Sequence, residues 1–208
     1  METSLPTLLV GTTNNGKIHE FRQLLAELPA TIVTPADLGL DFEVEEGDES
    51  FVANAILKAK AYHAATGLLT LAEDAGFQVD ALDGEPGVRS ARWGGTDYGI
   101  KNALIVEKVA SLPIEQRGCQ YVAVLAIQTP NGKVYRRTGT CRGRVADAPA
   151  GTNGFGYDPI FLVPSRRKTM AELTDAEKHR LSHRGRAVRR ALPLLRQLLT
   201  DPSQLTRP

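Results

Sequence analysis

Apolar positions along the chain fall into short strand-like runs that alternate with helical stripes, a pattern that predicts an α/β protein. Thr7-Leu8-Leu9-Val10 reads as a buried strand, and Ile18, Phe21, Leu25 and Leu28 follow at helical spacing. Residues 30–34 predict a second strand. Val52, Ile56, Ala59 and His63 mark one face of a helix from Phe51 to about Thr66. The run Leu68-Leu69-Thr70-Leu71-Ala72 then stops at two carboxylates, Glu73 and Asp74, before Ala75 and Gly76. Apolar strands belong to sheets covered by helices, whose sites lie outside the strands' carboxyl ends. Glu73 and Asp74 are therefore expected where a strand ends, close enough to repel. A bound cation is one reason to keep such a pair and a solvated turn is the other.

Farther on, residues 79–88 predict a short strand with Gly/Pro turns, and residues 90–95 a loop that holds Trp93. A helix is expected from about Tyr98 to Ala110. Residues 119–127 and 133–145 are rich in β-branched and aromatic side chains. With Thr129-Pro130-Asn131-Gly132 between them they read as a hairpin. Ala187, Ala191, Leu194 and Leu198 give the last helix an apolar face, and Pro193 implies a kink or a restart. The tail from Asp201 lacks a pattern and is expected to fray. Neither a repeat nor a separating linker is visible, so residues 1–208 read as one domain.

Composition narrows the class. The chain has 208 residues, 42% apolar and 24% charged, which fits a soluble globular protein with a substantial core. A net charge of +1 gives no global pull toward nucleic acid or a membrane. The acidic start and the absence of a run of membrane-spanning length argue against a secretory signal or a span. Cys119 and Cys141 lie outside Cys-x-x-Cys or Cys/His spacings, which predicts neither a disulfide framework nor zinc, and points to the reducing cytoplasm.

Four stretches carry candidate chemistry. Gly11-Thr12-Thr13-Asn14-Asn15-Gly16-Lys17 lies between a strand and a helix, the layout that aims backbone N–H groups and a helix dipole at an anion. It matches G-x-x-x-x-G-K, but Ile18 stands where a P-loop needs a Ser or Thr hydroxyl, so a phosphate loop of another kind is expected. Residues 41–49 hold Glu45 and Glu46 in a strongly acidic run, either solvated surface or a source of magnesium ligands. Gly154-Phe155-Gly156-Tyr157-Asp158 sets aromatics between glycines, which suits close approach and stacking on a base. Between Lys178 and Arg190 the chain is basic with no acid.

These stretches together resemble the non-standard purine nucleoside triphosphate pyrophosphatases, the inosine triphosphatase or bacterial dITP/XTP pyrophosphatase family. The matching segments are Thr12-Thr13-Asn14-Asn15-Gly16-Lys17, Glu45-Glu46 before Phe51-Val52-Ala53-Asn54-Ala55, Ala72-Glu73-Asp74-Ala75-Gly76, Pro86-Gly87-Val88-Arg89-Ser90-Ala91-Arg92, Gly154-Phe155-Gly156-Tyr157-Asp158-Pro159, and Lys178 with Ser182-His183-Arg184-Gly185. Each is weak alone, and the ordered set from residue 7 to about 199 is specific. The resemblance implies a mixed, elongated central sheet with flanking helices forming two lobes around a cleft, and a homodimer. It implies magnesium-dependent hydrolysis of ITP, dITP and XTP to the monophosphate and pyrophosphate. By position, Asp74 looks like the general base and a metal ligand, with Glu45 or Glu46 as the second ligand. Thr12, Thr13, Asn14, Asn15, Gly16 and Lys17 would grip phosphates. Phe155, Gly156, Tyr157 and Asp158 would surround base and sugar, and Lys178, His183 and Arg184 would close over them. The family's usual Asp-Asp-Ser-Gly is here Glu73-Asp74-Ala75-Gly76, so a hydroxyl contact to substrate is lost at Ala75. A pyrimidine-directed pyrophosphatase and a nucleic-acid-binding protein using the basic segment are the rival readings. Salt-dependent binding without hydrolysis would mark the latter.

Overall fold

The computed structural model describes residues 5–201. Seven strands form one mixed sheet: β1 (Thr7–Val10), β2 (Thr31–Val33), β3 (Leu69–Val79), β4 (Gly118–Gln128), β5 (Val134–Val145), β6 (Phe161–Val163) and β7 (Lys168–Thr169), in the order β2-β1-β3-β4-β5-β6-β7. β1 pairs in parallel with both β2 and β3, whereas β6 is antiparallel to β5 and β7. Among the described residues there are five α-helices: α1 (Asn15–Leu24), α2 (Phe51–Thr66), α3 (Tyr98–Val109), α4 (Asp175–Leu181) and α5 (His183–Thr200).

The helix ends follow local chemistry. Asn14 caps α1 by accepting from the Lys17 N–H at 3.0 Å, and Ser50 caps α2 by accepting from Ala53 N–H at 3.1 Å. Each such cap satisfies a donor that the first turn cannot, worth about 1 kcal/mol. Gly67 ends α2 in the left-handed region, at φ 71°, and its N–H reaches His63 O. Pro193 lies inside α5 without ending it.

Two compact units divide the chain. Unit 1 holds residues 1–74, 124–138 and 187–208, and unit 2 holds residues 75–123 and 139–186. Every boundary falls within β3, β4, β5 or α5 rather than in a loop. In unit 1, Leu8, Leu9, Phe21, Leu25, Ala55, Ala59, Leu71 and Leu125 are fully buried or nearly so. Unit 2 is built on an aromatic core. Phe77 stacks on Tyr157 at 4.9 Å and Tyr121 on Phe161 at 4.8 Å, among Val79, Ile105, Cys119 and Val145.

Four expectations need correction. β3 does not stop at its acids: it continues for 11 residues, with Glu73 and Asp74 in its middle. Residues 79–88 form no strand beyond an isolated bridge between Gln78 and Pro86; a short 3₁₀ turn at Asp80–Leu82 takes over. The buried stripe of α2 is Asn54, Ala55, Lys58, Ala59 and Tyr62; of the expected stripe of Val52, Ile56, Ala59 and His63, Ala59 alone belongs to it. Two polar residues on that stripe masked it from an apolar periodicity. On α5 it is Leu195, not Leu194, that is buried with Ala187, Ala191 and Leu198. Residues 202–208 of the tail expected to fray lie outside the described residues.

Candidate active site

In unit 1 the loop after β1 is shaped by its own backbone and by Asn14. Gly11 N–H extends the ladder to Leu71 O at 2.8 Å, and Asn14 N–H reaches Thr12 Oγ1 at 3.3 Å. Thr13, Asn14 and Asn15 are exposed and Gly16 and Lys17 half-buried, which leaves a run of polar groups at the start of α1. The Lys17 ammonium sits 3.3 Å from Glu73, whose side chain is fully buried. Thr12, Thr13, Asn15 and Ile18, with Leu40, Phe42 and Glu43, line a cavity of about 410 Å³.

Neighbouring residues of a strand point to opposite faces of the sheet, and the two acids of β3 have different partners accordingly. Glu73 is held by Lys17 of α1. Asp74, 4% exposed, is held from α2: Lys58 Nζ lies 3.4 Å from Oδ1, and Asn54 Nδ2 donates to Oδ2 at 3.0 Å. The repulsion expected of adjacent carboxylates is thus relieved by the pleat and by two lysines.

Lys58 also forms a close ion pair with Glu46. One ammonium therefore joins the acidic loop to β3. Glu46 is half-buried there, whereas Glu45 is exposed. Burial pushes the Asp74 carboxyl above the ordinary carboxylate range; Lys58 pulls it down, and Glu46 pushes it up again. Glu46 and Asp74 are hard oxygen donors, already arranged around a positive charge, and that chemistry fits a divalent cation such as magnesium. Among the described residues no group of three or more His, Cys, Asp or Glu side chains converges. A magnesium ion here would complete its shell with water and phosphate oxygens, as it commonly does.

In unit 2 the glycine–aromatic loop closes on itself. Asp158 Oδ2 accepts from Phe155 N–H at 2.8 Å and from Lys178 Nζ at 2.5 Å, and its Oδ1 accepts from Tyr121 Oη at 3.2 Å. Asp158 and Lys178 are 3% and 2% exposed, a buried pair whose charges are matched and hydrogen-bonded. Gly154 has φ +77°, and a Cβ there would come within 2.2 Å of Asp158 Oδ2, so only glycine fits. Asn102 Nδ2 donates to Gly156 O at 3.1 Å.

Phe155 is half-buried, with Lys178 Nζ 5.2 Å and the Arg184 guanidinium 5.4 Å from its ring centre. Tyr157, expected beside a base, is instead 2% exposed in the core with its hydroxyl on Ser90 O at 2.8 Å. His183 stacks on Tyr121 at 4.4 Å, and Ser182 caps the first turn of α5 through Gly185 N–H at 3.1 Å. The sequence thus named Lys178, His183 and Arg184 as a basic segment, and the fold draws all three to Phe155 or Asp158 and their packing neighbours.

Sequence reasoning gave Asn54 no role, although it lies in the matching segment Phe51–Ala55, and missed Lys58. Their signal was present: they sit four apart, on the same stripe as Ala55, Ala59 and Tyr62, where polar residues have no place unless they are partnered.

Comparison with known proteins supplies the family. The Ham1 family model matches residues 8–194. A dITP/XTP pyrophosphatase of Symbiobacterium thermophilum is 48% identical over 198 residues, which span 93% of this chain and 97% of that protein. One from Thermus thermophilus is 45% identical over 187 residues, 89% of each chain. Among solved structures, the Staphylococcus aureus Ham1 protein superposes with a TM-score of 0.80 at 35% identity, covering 92% of this chain and 98% of that one. The Mycobacterium abscessus nucleoside-triphosphatase / dITP/XTP pyrophosphatase gives 0.71 at 41% identity, with 90% and 99% covered. With the mixed sheet, the phosphate-type loop and the lysine-bridged carboxylates all in place along the matched length, the chain belongs to the Ham1 family.

Proposed function

We propose that this chain is a magnesium-dependent pyrophosphatase that hydrolyses non-standard purine nucleoside triphosphates (ITP, dITP, XTP and dXTP) to the monophosphate and pyrophosphate, clearing them from the nucleotide pool. The observation that carries the reading is Asp74: a buried carboxylate in mid-strand, held from α2 and joined through Lys58 to an acidic loop. The names of the relatives at 45–48% identity support the substrate class.

Water attacks the α-phosphorus, the bond to the bridging oxygen breaks, and pyrophosphate leaves. Asp74 takes the proton of that water. Glu46 and Asp74 would hold magnesium, which neutralises phosphate charge when bound. Glu73 fixes the Lys17 ammonium, and Lys17 with the loop N–H groups from Thr12 to Gly16 offsets the charge of the phosphate tail.

On the base side, Phe155 offers a flat face, and Asp158 and Gly156 shape the loop around it. Lys178, His183 and Arg184 supply donors. A donor aimed at the 6-oxo group of hypoxanthine or xanthine would meet the amino group of adenine and lose its bond, which discriminates by several kcal/mol. Ala75 offers no hydroxyl, so any contact there is made by backbone or water. The same reading carries a cytoplasmic homodimer, which sedimentation of the purified chain checks.

The test is pyrophosphate release from ITP, XTP, dITP, ATP and GTP, with magnesium and with EDTA, in wild type and Asp74→Asn. Magnesium-dependent release from the oxopurine substrates, lost in the variant, is expected. Release from none of them, or equal release in EDTA, overturns the reading.

A further inference from the structure

We propose that Asn54 is a positioning residue that ties the acidic loop to Asp74, so that the loop carboxylate and the strand carboxylate reach the metal as one preset pair. The inference rests on the reading of Glu46 and Asp74 given above.

Asn54 lies on the buried stripe of α2 and is 2% exposed. A primary amide has two donor hydrogens and one acceptor oxygen, and here all are used on two targets. Oδ1 accepts from Gly47 N–H at 3.0 Å, and Nδ2 donates to Gly47 O at 2.9 Å and to Asp74 Oδ2 at 3.0 Å. The side chain therefore grips both main-chain groups of one loop residue and the carboxylate of one strand residue. Its own backbone is fixed, since Asn54 N–H reaches Ser50 O at 3.1 Å in the first turn of the helix.

Residues 41–47 have no regular structure and are mostly exposed, so the loop has no ladder to hold it. Its anchors are side chains: Phe42 stacked on Tyr62 at 5.1 Å, Thr13 on Glu43 at 3.1 Å, and Asn54 on Gly47. The last of these is one peptide away from Glu46. That peptide is planar, so fixing the Gly47 N–H also fixes the carbonyl side of Glu46. Lys58 joins the two carboxylates by charge and so adapts to their separation. Asn54 ties the loop backbone at Gly47, one peptide from Glu46, to the Asp74 carboxylate by directed hydrogen bonds, and so sets where the loop stands against the strand.

The isosteric change Asn54→Asp separates this role from packing. It keeps the volume and an acceptor for Gly47 N–H, but removes both donors and puts a second carboxylate beside Asp74. Asn54→Ala removes all three bonds. Both variants are expected to raise the half-saturating magnesium concentration of ITP hydrolysis by about 10- to 100-fold, as loss of an outer-shell partner does, while KM for ITP at saturating magnesium changes little. Two readouts need neither metal nor turnover. In wild type the Gly47 amide should exchange its hydrogen at least about tenfold more slowly than the amides of Glu45 and Glu49, as a hydrogen-bonded N–H does. In both variants a glutamate-specific protease should cut within residues 41–49 at least about tenfold faster than in wild type, because local opening exposes the loop.

Folded variants that keep wild-type magnesium dependence and wild-type protease resistance overturn the proposal, as does a Gly47 amide that exchanges as fast as its neighbours. If neither variant folds, the Gly47 exchange in wild type decides alone. If wild type hydrolyses no nucleotide, the proposed activity falls, and the tether is still judged by exchange and cleavage.

Discussion

Asp74 is held in a state that suits chemistry and costs stability. Burial raises its pKa against the pull of Lys58, so the folded chain binds this proton more tightly than the unfolded chain does. In the window between the ordinary carboxylate pKa and the raised one, stability falls as pH rises, and the cost persists above that window. Asp74→Asn removes it. We expect the variant to lose about 10²- to 10⁴-fold in turnover with a thermal midpoint at or above that of the metal-free wild type. Pyrophosphate release and a melting curve at neutral pH check the two halves. Lys178 shows the reverse case. Its removal in Lys178→Ala leaves the buried Asp158, which also accepts from Phe155 N–H and Tyr121 Oη, without its ammonium. A loss of about 3–5 kcal/mol is expected, and the double variant Lys178→Met with Asp158→Asn should recover most of it in urea unfolding.

At the scale of elements, the acidic loop depends on the helix beneath it. Tyr62 of α2 carries Phe42 on its ring, and a Cβ on Gly11 would approach Tyr62 Cδ2 to 2.6 Å. Gly11 is therefore glycine to let the end of β1 pass under that ring. Gly11→Ala should destabilise by about 1–3 kcal/mol through overpacking, and should also loosen the loop. Urea unfolding with glutamate-specific cleavage of residues 41–49 tests both effects. The extent of α2 was legible from spacing, which predicted Phe51 to about Thr66, and Ser50 and Gly67 close its ends in space. The extent of β3 was not. Charged residues signal the end of a buried strand unless partners follow them in, and Lys17, Lys58 and Asn54 come from two other elements.

For the whole molecule, the chain passes between its two compact units inside strands and a helix, which explains why no linker is visible in the sequence. Among the described residues no helix is long and apolar enough to cross a membrane. Cys119 and Cys141 both lie in the core of unit 2, and burial pushes both thiols up. Neither should react with a thiol reagent in the native state, and both should react once the chain is unfolded. A thiol that reacts natively, counted with a chromogenic disulfide, would show that unit 2 opens on its own.

The sequence by itself determined the α/β class, the strand and helix on either side of Thr12–Lys17, the extents of α2 and α3, the hairpin of β4 and β5, and the family, because these depend on local propensity and on residues adjacent in the chain. Tertiary structure decided which acids act together. It set Glu73 and Asp74 on opposite faces of β3, chose Glu46 over Glu45 as the neighbour of Lys58, and turned Asn54 toward both loop and strand. It also placed Tyr157 in the core while leaving Phe155 at its edge. A buried charge is stable only against a partner, and partners 12 to 56 residues away are fixed by packing, which no local pattern encodes.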